Sequence, residues 1–130
     1  MTAVGAPRGG LQAFQDSIRL PVPELIRDLR DVLGAKLVAY LGSVKETRAV
    51  RQWSDGEREP SNEVLLRLRA AYHVAALLAE RESRAVVQAW FQGMNPQLED
   101  IAPARLLREA PLEEAGPLVL AAARAFTSAG

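Results

Sequence analysis

The chain contains no cysteine, which excludes disulfides, thiolate nucleophiles and any metal or cluster site built on Cys ligands. Aromatic residues are scarce, at 5%, so a core has to be assembled from Leu, Ala and Val. Strand-favouring runs of Val, Ile, Thr and Tyr are missing as well, whereas Leu and Ala favour helix, and an all-α fold is expected. No apolar run is long enough to cross a bilayer, and the first residues carry no basic region followed by an apolar one. A cytoplasmic protein without membrane attachment is therefore expected. With one histidine, no Gly-rich phosphate loop and no H-E-x-x-H, the sequence points to neither a metal site, nor a bound cofactor, nor an enzyme.

An excess of charge of one sign is also lacking. Sixteen basic residues balance sixteen acidic ones, with twelve against ten in residues 1–81 and four against six in residues 82–130. A protein that binds DNA tightly as a monomer usually has a clear basic excess, because phosphate contacts supply much of the affinity.

What is present is helical punctuation. The 130 residues suit one domain, or two very small ones that share a core. The glycines and proline of residues 1–20 suggest a flexible N-terminal tail. Pro23 and Gly34 bracket a helix over 22–33, with Leu25, Ile26, Leu29, Val32 and Leu33 on one stripe. A short helix over 35–41 ends at Gly42-Ser43. Ser43 and Glu46 have capping-box spacing, which predicts a third helix over 44–54. Ser61 can cap a long helix over 61–81. Further helices are predicted over 83–92 and 103–109, and Gly116-Pro117 is read as the opening of a last one over 118–126. Residues 21–81 then form one unit, and residues 82–130 a smaller helical unit leaning on the long helix.

Two short helices joined by a Gly-containing turn are the minimal form of a helix-turn-helix, whose second helix lies in the major groove. With Ala49, Val50 and Trp53 turned inward, Lys45, Thr47, Arg48, Arg51 and Gln52 are left outside. Lys45, Arg48 and Gln52 share a face at i, i+3 and i+7. Arg and Gln suit base edges, Lys45 suits phosphate, and Arg58 in the exit loop is within reach of another phosphate. A polar outer face is also what any surface helix shows. Trp53 is read as core, and His73, with no second ligand nearby, as a helix-surface or packing residue.

The downstream unit carries W-F-x-x-x-N-P-x-L-x-x-x-x-P-x-x-L-L: Trp90, Phe91, Asn95, Pro96, Leu98, Pro103, Leu106 and Leu107. This pattern resembles the toxin-binding domain of the Xre/MbcA/ParS antitoxin family. The upstream V-R-Q-W-S-D-G-E-R-E-P and L-L-R-L-R-A-A-Y resemble the Xre-like DNA-binding half of the same family. The resemblance spans roughly residues 25–127 and implies a type II antitoxin that covers the active-site cleft of a NAD-consuming RES-domain toxin. It also implies a homodimer that represses its own operon by binding operator DNA. The motif residues are expected to build the toxin-facing surface, with Arg124 in the terminal segment as a further contact. A stand-alone helix-turn-helix regulator or adaptor without a toxin partner is the other reading.

Overall fold

The computed structural model describes residues 9–129, so any expectation for residues 1–8 lies outside the described residues. The described chain is all-helical: α1 Gly9–Arg19, α2 Val22–Leu33, α3 Ala35–Leu41, α4 Thr47–Ser54, α5 Asn62–Ala79, α6 Arg84–Gln92, α7 Pro103–Glu109 and α8 Leu112–Ala129, with a 3₁₀ turn at Pro96–Leu98. One buried cluster runs from Leu25 and Ile26 of α2 through Trp53, Leu68 and Leu78 to Phe91, Leu107 and Val119. The α3–α4 pair and the C-terminal unit therefore share a core.

Where Pro, Gly and Ser punctuate the sequence, the expected helices form. The Ser61 and Ser83 hydroxyls accept the backbone N–H of Val64 and Val86, both at 3.3 Å, capping α5 and α6. Pro103 starts α7, where its missing N–H has no partner to lose.

Three expectations are corrected. The flexible tail does not extend through residue 20, because residues 9–19 form α1, packed on α5 with Ala13 and Ser17 buried. Two glycines at its start argue against helix on propensity. The small residues along its inner face, however, let α1 lie close to the long helix.

The capping box at Ser43 does not form. Ser43 has φ +57° and closes α3 instead, with its N–H donating to Tyr40 and that of Val44 to Ala39. These bonds make a Schellman motif. The helix α4 starts at Thr47 with no side-chain cap.

Gly116-Pro117 does not open the last helix, which begins at Leu112 and carries Pro117 inside it. Gly116 offers the proline ring no Cβ to clash with. The carbonyl of Pro111 accepts the N–H groups of Glu114 and Ala115 at 3.0 and 2.9 Å, so the first turn forms upstream.

A recurrent contact fixes the helices to one another. The last carbonyls of a helix have no partner within it and carry its negative dipole end. Here arginines from neighbouring helices meet them. Arg69 donates to Ser17 and Leu20 at the end of α1. Arg84 donates to Asp31 at the end of α2, where Gln88 reaches Val32. Arg27 donates to the Ser54 carbonyl at the end of α4, and Arg30 to the Ser54 hydroxyl. Arg67 donates to Leu107 at 2.6 Å and Ala110 at 2.8 Å, closing α7.

Arg67 is well enclosed, with 13% of its side chain exposed. Replacing it with methionine leaves two carbonyls without a charged donor, and is expected to cost about 2–3 kcal/mol. The exposed Arg105→Met, which breaks only a surface pair with Glu109, is expected to cost less than about 1 kcal/mol. Urea unfolding of the two variants checks the contrast.

Candidate nucleic-acid interface

The α3–turn–α4 pair is seated by one side chain. Trp53 is buried in the core, and its ring lies against Gly42 in the turn. A Cβ on Gly42 would come within 2.8 Å of Trp53 Cη2 and 2.9 Å of Cζ3. Gly42 is thus required for close approach, while the left-handed turn position falls to Ser43. The indole Nε1 finds no hydrogen-bond partner among the described residues, so Trp53 is held by shape alone. Val50 and Ala49 complete the inner face of α4.

With that face fixed, the expected outer residues separate into two groups. Lys45, Arg48, Gln52 and Arg58 line one open cleft of about 410 Å³, together with Val44, Glu46 and Ala49. Thr47, the first residue of α4, lines the adjoining cleft with Lys45 and Arg48. Arg51 does not join them as a free cation. Its guanidinium pairs with Asp55 at 3.0 Å and Glu57 at 3.2 Å. This pairing also offsets much of the acidity at the exit of α4. Lys45, Arg48 and Arg58 form no ion pair among the described residues.

In the C-terminal unit the motif residues divide by depth. Phe91, Leu98, Pro103 and Leu107 are buried and build the unit from within. Asn95 makes the turn: its side chain accepts the Gln97 N–H at 2.9 Å, and its carbonyl accepts those of Leu98 and Asp100. Trp90 and Leu106 are half-buried and Pro96 is exposed. Trp90 packs edge-on to Phe91 and lies 6.4 Å from the ring of Phe126.

Four exposed apolar residues of this unit lie outside the expected toxin-facing set: Val86, Met94, Leu118 and Phe126. Val86 stands one turn before Trp90 on α6, a spacing that joins the two on one face. Met94 is 80% exposed. Arg124 is not brought to this surface. Two residues on a helix are about 200° apart, so Arg124 points away from Phe126, toward α1. There it lines a cleft with Gly10, Leu11, Phe14, His73 and Leu120.

His73 stacks at 5.5 Å on Phe14 of α1, in keeping with a packing role. Burial lowers its pKa from 6.5, Arg124 lowers it further, and a backbone contact at Gly10 works the other way. On the opposite side, Asp28, Asp31 and Glu80 line a cleft beside Tyr72. Desolvation first, then Glu24 and Asp31, raises the pKa of Asp28. Burial with Asp16 and Asp28 pushes the Tyr72 phenol up to about 12. Among the described residues, no three His, Asp or Glu side chains converge to hold a metal ion, and no helix is long and apolar enough to cross a membrane.

Comparison with protein-family models, with curated proteins and with solved structures returns no match.

Two predictions follow from this geometry. Gly42→Ala forces the indole or the turn to move and is expected to cost about 1–3 kcal/mol, read by thermal or urea unfolding. For His73, a depressed folded-state pKa means that the unfolded chain takes the proton more readily. Its contribution to stability is therefore present above pH 6.5 and is lost as the pH falls below that value. Thermal melts across this range should show the loss, and His73→Gln should remove it.

Proposed function

We propose that the protein is an antitoxin-type regulator that binds duplex DNA through α3–α4 and a partner protein, a RES-type toxin, through its C-terminal unit. The observation that carries the DNA half is the cleft lined by Arg48 and Gln52, on the outer face of a helix whose inner face is locked by Trp53. Lys45 joins them from the turn before that helix and Arg58 from the loop after it, and the three cations form no ion pair among the described residues. A groove-reading helix needs this arrangement: a rigid seat, long donors outward, and cations beside them for phosphate.

The partner half is supported by the resemblance of the Trp90–Leu107 motif to antitoxin toxin-binding domains. It is supported further by the exposed Phe126 beside the half-buried Trp90, with the exposed Val86 one turn before it, since aromatic side chains are typical of interface centres. A homodimer is part of the proposal, because two copies double a phosphate contact set that is modest in one.

Co-expression with the product of the neighbouring gene tests the partner half. The toxin should co-purify, and its growth arrest should be relieved. The exposed substitution Phe126→Glu should abolish both while leaving the thermal melt of the free protein unchanged. A neighbouring protein that never co-purifies with the wild-type chain removes the toxin from this reading and leaves a stand-alone regulator.

A further inference from the structure

The cationic surface does not stop at α4. Beyond Lys45 and Arg48 it continues into a second open cleft of about 820 Å³, lined also by Lys36, Ala39 and Tyr40 of α3, by Ser43, Val44, Glu46 and Thr47, and by Arg108 of α7. Arg108 lies in the last turn of α7, in the C-terminal unit. Its guanidinium sits 4.4 Å from the ring centroid of Tyr40, a cation–π contact that holds it at the mouth of the cleft. The only carboxylate in this lining is Glu46. Neither Lys36 nor Arg108 forms an ion pair among the described residues.

We infer that Lys36 and Arg108 contact the DNA backbone, so that the C-terminal unit supplies part of the DNA-binding surface. The inference rests on the reading of α4 as the groove helix. A helix in the major groove is flanked by a phosphate strand on each side, and positioning contacts are made to both. Around α4 the free cations are distributed in that way. Arg58 stands at the exit side with Gln52, and Lys36 and Arg108 lie across the cleft that opens beyond Lys45. A small anion would need donors converging on one point, whereas these are spread along α3, α4 and α7 in an open cleft. That spread suits a polyanion.

Arg108 is also well suited to the role. Stacking on Tyr40 fixes the guanidinium without using up its N–H donors, which remain available to phosphate oxygens. The Arg67 clamp on the Leu107 and Ala110 carbonyls holds the α7 turn that bears it.

The test is the salt dependence of binding to two duplexes. One is taken from immediately upstream of the protein's own coding sequence, and the other is a scrambled duplex of equal length. Arg108→Ala and Lys36→Ala should each flatten the slope of log affinity against log salt by about one. Both should weaken binding to the two duplexes alike, and Arg108→Lys should restore the slope. Arg48→Ala should instead weaken the upstream duplex more than the scrambled one. If the wild-type protein binds and Arg48→Ala behaves in this way, but the slope is unchanged in Lys36→Ala and Arg108→Ala, the inference is overturned and the role of α4 stands. If the wild-type protein binds neither duplex, the DNA-binding reading falls and this inference with it.

Discussion

The arrangement of the helices depends on guanidinium groups placed against helix C-termini. A helix end buried without partners is costly, because its last carbonyls are strong acceptors with no donor of their own. Here Arg69, Arg84, Arg27 and Arg67 supply donors to α1, α2, α4 and α7. Two of them, Arg67 and Arg69, lie only two residues apart on α5, on roughly opposite sides of the helix. The long helix thus grips α7 with one and α1 with the other. Each contact combines hydrogen bonding with charge-to-dipole attraction, and each joins segments far apart in sequence. The apolar core supplies the bulk of the cohesion, and the arginines fix which helix end meets which neighbour.

This use of arginine divides the basic residues into two populations, and the division explains how a neutral chain carries a cationic face. The clamping arginines spend their charge inside the fold, and Arg51 spends its own on Asp55 and Glu57. Of the cations with neither role, Lys36, Lys45, Arg48, Arg58 and Arg108 line the two adjoining clefts at α4, whereas Arg124 lies in the cleft beside His73. The acids are distributed differently. Asp28, Asp31 and Glu80 gather along α2 and the end of α5, and burial first, then the charges of Glu24 and Asp31, raises the pKa of Asp28. With zero net charge, long-range attraction of a polyanion is weak, so short-range contacts carry more weight than overall attraction.

Much of the fold was legible in the sequence because its information was local. Pro23, Gly34, Ser61, Gly93 and Pro103 mark helix ends through backbone conformation or capping, and the inward turn of Val50 and Trp53 follows from helical period. What was not legible depended on partners distant in sequence. Helix α1 forms against its own glycines because α5 and Arg69 receive it. The capping box at Ser43 was a correct spacing in the wrong conformation: Trp53, eleven positions from Gly42, demands a bare α-carbon there and leaves the left-handed turn residue to be Ser43. For the interface, Lys45, Arg48, Gln52 and Arg58 could be read from one helix and its exit loop. Arg108 could not, since only the packing of α7 on α3 brings it to Tyr40, and the Arg51–Glu57 pair depends on the turn that follows α4.

The depth of the motif residues bears on what a sequence pattern can encode. Phe91, Leu98, Pro103 and Leu107 are interior, and Asn95 spends its side chain on the turn. A match to these positions therefore specifies how α6, the 3₁₀ turn and α7 pack, which is a statement about shape. Any protein seated on this unit meets other atoms: Val86, Met94, Leu118 and Phe126, with one face of Trp90. The first four lie outside the pattern, whereas Trp90 opens it. Changing an interior residue alters the platform and with it α7, whereas changing an exposed one alters only what the platform can hold. The residues that fix the architecture of this unit are thus largely distinct from the apolar side chains that it exposes.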